Sequence, residues 1–210
     1  MLIRYFRFAA AVLLSGCLLM LTAHAHSASV MVMGDSLSAA YGLNNTDEGW
    51  VSLLADRLEQ RDHDVINASI SGETTRGGMN RLPDLLDRYR PDYVIIALGG
   101  NDGLQGLNIV DIRDRIDTMV DYVEQADATP ILLGIRIPPN YGPRYTEPFF
   151  DLFGEVAEAR SVNHFLPFML ENVATDPDLM QRDGIHPTAQ AQAIILDNVW
   201  SVLPEELTQE

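Results

Sequence analysis

Short apolar runs alternate with longer amphipathic segments along most of the chain. The predicted strands are rich in branched apolar residues, and they span 29–33, 65–68, 93–98, 130–135 and 162–165. The predicted helices carry apolar side chains at every third or fourth position, and they span 48–61, 75–89, 109–125, 144–160 and 188–203. Pro83 lies within the second of these helices and predicts a break or a new first turn there.

This alternation is typical of a parallel sheet, because parallel neighbours need crossover connections and helices usually supply them. The run 93–98 is apolar almost throughout, as expected for a strand that is covered on both faces. We therefore expect an α/β fold, a three-layer α/β/α sandwich with a central parallel sheet of about five strands.

The N-terminal segment has a different pattern. Arg4 and Arg7 precede an uncharged apolar run at 8–21, which the small residues of Ala23-His24-Ala25 follow. This is the layout of a secretory signal peptide, and 14 apolar residues are fewer than the roughly 20 that span a membrane. We predict a signal peptide at 1–25, a single domain at 26–210 and a periplasmic or secreted protein without stable membrane insertion after cleavage.

A lipid-anchored form is the alternative, because Leu14-Ser15-Gly16-Cys17 resembles the motif at which bacterial lipoproteins are cleaved and acylated on cysteine. Against it, the apolar stretch continues past Cys17. Cleavage after Ala25 would remove the single cysteine of the sequence, which would exclude disulfides and thiol chemistry from the mature chain.

The composition is strongly acidic. The formal net charge of −16 becomes −18 once Arg4 and Arg7 are removed, and all 14 basic residues are arginine. Such a surface repels polyanions, so nucleic acids and anionic membranes are poor partners. We expect a monomer that folds without a metal and acts on a small molecule.

Polar clusters interrupt the apolar pattern where the predicted strands end. Asp35 and Ser36 follow the first strand, Gly72 follows the second, and Asn101 follows the third. A further cluster, Asp183-Gly184-Ile185-His186, precedes the last helix. Ligands of open parallel sheets bind beside the carboxyl ends of the strands, so we expect these segments to meet at one edge.

Ser36 is the candidate nucleophile, although a helix cap is the alternative interpretation of an isolated Gly-Asp-Ser. His186 is the candidate base, since imidazole can take up and return a proton near neutral pH. Asp183 stands three residues earlier and can orient the imidazole. The alternative for this pair is an exposed loop histidine beside a solvated acid.

Acyl transfer also requires donors for the oxygen that becomes negative. The backbone N–H of Ser36, that of Gly72 and the side-chain amide of Asn101 are the candidates for this oxyanion hole. Taken singly, Gly72 and Asn101 have an alternative interpretation as ordinary turn residues.

The four polar blocks resemble, in order and spacing, those of the SGNH, or GDSL, hydrolases. They are Gly34-Asp35-Ser36-Leu37-Ser38, Gly72, Gly99-Gly100-Asn101-Asp102 and Asp183-Gly184-Ile185-His186-Pro187. The segment 135–142 is similar to bacterial thioesterase and lysophospholipase members of that family, and the likeness runs from about Val30 to Leu203.

The resemblance implies a flavodoxin-like sheet, with Ser36 as nucleophile, His186 as base, Asp183 behind it and Gly72 and Asn101 as oxyanion donors. It implies no metal or cofactor, and it implies hydrolysis of acyl thioesters, aryl and short-chain esters and lysophospholipids.

The resemblance further implies that the loop 103–108 and the segment 137–138 border the acyl chain. This chain departs from the family pattern at Glu73, where close relatives tend to carry Asp, and in the side chains of the loop 103–108.

Three other functions stay open. A carbohydrate deacetylase of the same superfamily would have the same triad. A non-catalytic binding module would keep the fold, although such modules usually lack a triad member. A flavin or phosphate binder would need hydroxyl-rich or glycine-rich loops, whereas Asp35 and Asp102 here would repel phosphate.

Overall fold

The computed structural model of the 210-residue chain describes residues 27–209. The predicted signal peptide at 1–25 and the alternative acylation site at Cys17 lie outside the described residues. Within them, no helix has both the length and the apolar composition needed to cross a membrane.

Five parallel strands form one sheet in the order β2-β1-β3-β4-β5. The strands are β1 (Ser29–Gly34), β2 (Asp64–Asn67), β3 (Tyr93–Ala97), β4 (Thr129–Leu133) and β5 (His164–Leu166). The prediction of an α/β sandwich with about five parallel strands is confirmed. The sheet extends in both directions from β1, which pairs with β2 on one side and with β3 on the other.

Among residues 27–209, seven α-helices surround the sheet, and several of them connect its strands. They are α1 (Trp50–Glu59), α2 (Thr75–Tyr89), α3 (Gly100–Leu104), α4 (Ile109–Gln125), α5 (Pro143–Ala159), α6 (Gln192–Trp200) and α7 (Glu205–Thr208). Short 3-10 turns occupy 46–48, 139–141 and 189–191. Helices α2, α4 and α5 pack side by side, and α1 packs against α6, so that two helical layers enclose the sheet.

The central strands are buried because both of their faces are apolar. Val30 to Met33 in β1 and Val94 to Ala97 in β3 have essentially no exposed surface. The helices add one apolar face each, and α4 buries Ile112, Ile116, Met119, Val120 and Val123. This burial is the main favourable contribution to folding.

Pro83 does not break helix α2, so that prediction was wrong. A proline within a helix removes one backbone hydrogen bond. The neighbouring Leu82 and Leu86 are buried in the core, and the side chain of Thr74 caps the first turn. Core packing on both sides of Pro83 therefore outweighs the missing bond.

The last predicted helix, 188–203, is shorter in the structure. It begins as the 3-10 turn at 189–191 and continues as α6 to Trp200. The other helices agree with the prediction within two residues, and the strands within two. The pattern of apolar positions thus located the strands and the longer helices, although it did not predict the short helices α3 and α7 and it located helix and strand ends less well.

Candidate active site

The loop that follows β1 presents Ser36 at the carboxyl edge of the sheet. β1 and β3 end side by side, with Gly34 opposite Ala97, so the loops after them start as neighbours. The Ser36 loop curls into turns in which Asp35 O accepts from Ala39 N at 2.9 Å and Ser36 O accepts from Tyr41 N at 3.1 Å. A Cβ at Gly34 would collide with the Ser38 side chain, so this tight turn requires glycine.

His186 reaches the same edge from a short hairpin near the end of the chain. Met180 and Pro187 form an antiparallel bridge, and Gln181 N donates to His186 O at 2.7 Å. At the tip, the Asp183 carboxylate accepts hydrogen bonds from Ile185 N at 2.9 Å and from His186 N at 3.0 Å. The hairpin therefore fixes Asp183 relative to the histidine backbone.

The structure brings the three predicted triad residues into line. Asp183 Oδ2 lies 2.7 Å from His186 Nδ1, and His186 Nε2 lies 2.9 Å from Ser36 Oγ. Desolvation opposes ionisation of Asp183, but the hydrogen bonds from the backbone and ring of His186 and from Ile185 N lower its pKa to about 2. An ionised Asp183 can accept the Nδ1 proton, which leaves Nε2 free to accept the serine proton.

The other described histidines are engaged elsewhere. His63 accepts a hydrogen bond from Ala28 N at 3.0 Å, and the ring of His164 lies 3.0 Å from Val202 O. His63 is also buried. His24 and His26 lie outside the described residues.

The backbone N–H groups of Ser36 and Gly72 were predicted as oxyanion donors. Within residues 27–209, neither Ser36 N–H nor Gly72 N–H donates a hydrogen bond. Gly72 has a φ of 81°, a backbone conformation that favours glycine. Free N–H groups beside a nucleophile are suited to bind a developing negative charge.

Asn101 lies in the first turn of α3 and faces the Gly72 loop. Its side-chain amide donates to Glu73 O at 2.9 Å and to Asp35 Oδ2 at 3.2 Å. The bond to Glu73 ties the third predicted oxyanion donor to the residue that follows Gly72. Ser36, Gly72 and Asn101 therefore converge as the sequence predicted, and their roles stay predictions.

Asp102 stabilises the part of the site that contains Asn101 and the start of α2. The sequence analysis assigned this buried carboxylate no structural role. Asp102 is fully buried, and its two oxygens accept from Thr75 N at 2.8 Å and from Thr75 Oγ1 at 2.6 Å. Arg115 Nη1 lies 3.5 Å from Asp102 Oδ1 and compensates its charge. Asp102 is therefore covered and paired, and the expectation that it would repel a bound phosphate stays a prediction.

Asp35 is the second buried carboxylate, with 2% of its surface exposed. Its Oδ1 accepts from Leu37 N at 3.0 Å, and its Oδ2 faces Asn101. Burial raises the pKa of Asp35 to about 6. The sequence signal that could have indicated this desolvation is the position of Asp35 directly after the apolar residues of β1.

An apolar groove begins at Ser36 and His186 and has a volume of about 360 Å³. The segment 137–138, which the family resemblance placed beside the acyl chain, lines it. From the loop 103–108 only Leu104 contributes, at the end of α3. The remaining apolar walls come mainly from Leu37, Ile135, Pro139, Phe168, Leu170, Met180 and Ile185.

Within residues 27–209, no three His, Cys, Asp or Glu side chains are grouped so that they could hold a metal ion. The site itself combines a serine, an imidazole and a carboxylate with amide donors.

Residues 32–194 match the family of GDSL-like lipases and acylhydrolases. The chain belongs to this family. It is thus an SGNH serine hydrolase, and the resemblance inferred from the four polar blocks is confirmed.

Named relatives of this GDSL-like hydrolase are similar over nearly their whole length. Esterase TesA of Pseudomonas aeruginosa is 48% identical over 197 residues, which cover 92% of this chain and 97% of the relative. Thioesterase 1/protease 1/lysophospholipase L1 of Escherichia coli K12 is 41% identical over 181 residues, or 86% of each chain. The psychrotrophic esterase EstA of Pseudoalteromonas sp., in a crystal structure inhibited by monoethylphosphonate, superposes with a TM-score of 0.79 at 41% identity. It matches 84% of this chain and 96% of that one.

Proposed function

We propose that this GDSL-like hydrolase cleaves acyl esters and thioesters through an acyl-enzyme on Ser36. The observation that carries the proposal is the continuous line of hydrogen bonds from Asp183 through His186 to Ser36, at 2.7 and 2.9 Å. It ends at Ser36, whose backbone N–H, like that of Gly72, donates no hydrogen bond within residues 27–209, and nucleophile activation and charge stabilisation are both needed at such a site.

In the first half of the proposed reaction, Ser36 Oγ attacks the carbonyl carbon of the substrate. His186 Nε2 takes the hydroxyl proton, and Asp183 stabilises the imidazolium that forms. The tetrahedral intermediate then collapses, and His186 returns the proton to the leaving alcohol or thiol. In the second half, a water molecule attacks the acyl-enzyme carbonyl and gives a proton to His186 Nε2. The bond between the acyl carbon and Ser36 Oγ then breaks, His186 returns the proton to Ser36 Oγ, and the acid departs.

The oxyanion of both intermediates is assigned to Ser36 N–H, Gly72 N–H and the Asn101 amide. The Asn101 hydrogen bond to Glu73 O, at 2.9 Å, fixes the plane of the amide. The longer contact to Asp35, at 3.2 Å, is the one that gives way to the substrate oxygen. Each such donor contributes roughly 3 to 4 kcal/mol to stabilisation of the transition state.

The lining of the apolar groove favours substrates whose acyl chain is longer than acetyl. Its walls beyond Ser36 are mainly aliphatic or aromatic side chains, which would contact methylene groups and offer an acetyl group little. The names of the relatives, esterase and thioesterase 1/protease 1/lysophospholipase L1, support fatty acyl esters, thioesters and lysophospholipids as the substrate class. Carbohydrate deacetylation is the second candidate, and the groove disfavours it.

The test compares wild type with Ser36→Ala and with Ser201→Ala, a control at an exposed serine after α6. Each protein is treated with a fluorophosphonate probe and assayed on nitrophenyl esters from acetyl to dodecanoyl and on the matching acyl-CoA thioesters. We expect labelling and turnover in wild type and Ser201→Ala, no labelling of Ser36→Ala, and rates that rise beyond acetyl. Turnover by a folded Ser36→Ala would reject Ser36 as nucleophile, and a sharp preference for acetyl would favour the deacetylase.

Export and oligomeric state belong to the same proposal. We infer that the chain is cleaved after Ala25, reaches the periplasm or the medium and acts as a monomer. The intact mass of the exported protein distinguishes cleavage after Ala25 from acylation at Cys17. Light scattering during size-exclusion chromatography measures the oligomeric state.

A further inference from the structure

Gln181 spans the gap between the loop that carries Ser36 and the hairpin that carries His186. Its side-chain amide donates to Tyr41 O at 3.0 Å and to Pro187 O at 2.9 Å. Tyr41 lies in the loop after β1 that carries Ser36, and Pro187 directly follows His186. Both amide hydrogens of one half-buried side chain are thus used to join two segments about 140 residues apart in sequence.

The backbone of Gln181 also closes the hairpin. Its N–H donates to His186 O at 2.7 Å, and its carbonyl accepts from Gly184 N at 2.9 Å. These bonds enclose the tip that carries Asp183. A shift of Gln181 would therefore move Asp183 and His186 together.

The loop that carries Ser36 leaves space for the Gln181 side chain. Gly42 has a φ of 76°, and a Cβ there would collide with the Gln181 carboxamide. Tyr41 N donates to Ser36 O at 3.1 Å, and the Tyr41 ring lies against the His186 ring with centroids 4.5 Å apart. These contacts connect Ser36 to Tyr41, Tyr41 to Gln181, Gln181 to the His186 hairpin and His186 back to Ser36.

We propose that Gln181 is a positioning residue that sets the separation of Ser36 Oγ and His186 Nε2. The inference rests on the proposed function, in which this separation governs proton transfer. Both partners stand on loops, and rates of positioned reactions fall steeply when reacting groups are misplaced by about 1 Å. Gln181 touches neither the substrate nor the reacting atoms, so it acts through the two loops that it joins.

The test uses two substitutions at this position. Gln181→Met keeps the approximate length but removes both donors. Gln181→Glu keeps the shape but turns a carboxylate toward two carbonyl oxygens. Gln60→Met, at an exposed glutamine after α1, is the matched control, and Ser36→Ala reports on the proposed function itself.

The measurements are kcat and KM on a nitrophenyl ester, the rate constant and final extent of fluorophosphonate labelling, and the melting temperature. We expect kcat and the labelling rate constant to fall about tenfold in Gln181→Met, as for a lost hydrogen bond expressed in the transition state, with KM within about twofold of wild type. Both kcat and the labelling rate constant should fall further in Gln181→Glu. Gln60→Met should match wild type.

A purely structural role would give a different result, because it would lower the melting temperature or the labelled fraction and leave the labelling rate constant of the folded fraction unchanged. That result would overturn the inference even where part of the variant is unfolded, since the rate constant reports only on competent molecules. Activity of Ser36→Ala, by contrast, would overturn the proposed function and not the placement of Gln181.

Discussion

The two sides of the site are built in opposite ways. On the proton-transfer side, Ser36 and His186 stand on loops, and the Asp183 side chain is 41% exposed. On the oxyanion side, Asp35 is almost completely buried, and Thr75 and Asp102 are fully buried. One side is an arrangement of surface loops, and the other is an extension of the core.

The difference follows from what each side has to do. The serine and the imidazole must meet substrate and water, so they cannot be enclosed. Donors for an oxyanion act best when they are fixed in advance in a region of low dielectric constant, which requires buried partners. Substitutions on the oxyanion side should therefore change both stability and rate, whereas those on the proton-transfer side should change mainly the rate.

The largest expected effect on stability is that of Asp102→Ala. It leaves the Thr75 N–H without its carboxylate and the Arg115 guanidinium with Asp111 alone, 3.6 Å away, and removing one partner of a buried ion pair costs about 3 to 5 kcal/mol. The start of α2 also loses its hydrogen bonds to Asp102, which leaves the bond from Asn101 to Glu73 O to hold the Gly72 loop against α3, so kcat should fall about 100-fold or more. Urea unfolding and initial rates on a nitrophenyl ester measure the two effects.

Asp114→Ala is the control for this prediction, because Asp114 forms an ion pair with Arg113 on the exposed face of α4. It should change the free energy of unfolding by less than about 1 kcal/mol. An Asp102→Ala protein with wild-type stability and wild-type kcat would show that the buried network does not hold the oxyanion side.

The same contrast explains which parts of the site the sequence could predict. Ser36, Asp183 and His186 interrupt strands and helices with polar residues at a common edge, so pattern and spacing were enough to propose them. Gly72 and Asn101 were accessible for the same reason. Taken singly, each of these residue types is also common in turns, so it was their expected meeting at one edge that indicated a site.

The residues that support the site could not be predicted from the sequence, because their roles depend on contacts between segments that are distant along the chain. Nothing in the order of residues relates Thr75 to Asp102 or Gln181 to Tyr41. The raised pKa of Asp35 likewise depends on the depth to which β1 is buried, which the apolar pattern indicates and does not measure.

Asp35→Asn should alter the pH dependence of stability. Burial raises the pKa of Asp35 from 3.8 to about 6, so the native state keeps a proton that the unfolded chain releases. The contribution of this group to stability therefore falls as the pH rises from about 4 to about 6, by about 3 kcal/mol at roughly 1.4 kcal/mol per pH unit. Relative to wild type, Asp35→Asn should gain up to this amount between pH 4 and pH 7.

Urea unfolding of both proteins across this pH range checks the prediction, with Asp84→Asn on the exposed face of α2 as the control. Parallel stability curves for wild type and Asp35→Asn would mean that Asp35 titrates as in the unfolded chain. The buried side of the site would then lack the desolvation that we ascribe to it.

Asp183→Asn should have the smallest effect on stability, with the opposite dependence on pH. Hydrogen bonds from His186 and Ile185 lower the Asp183 pKa to about 2, so its stabilising contribution is present above about pH 4 and is lost as the pH falls toward 2. Because the side chain is 41% exposed, solvent screening limits this contribution to less than about 1 kcal/mol.

The kcat of Asp183→Asn should nevertheless fall about 10³- to 10⁴-fold, since the imidazole loses the acceptor that fixes its tautomer. Unfolding curves at pH 2.5, 4 and 7, compared with rates at pH 7, measure both quantities. A loss of stability comparable to that of Asp102→Ala would remove the distinction between the two sides.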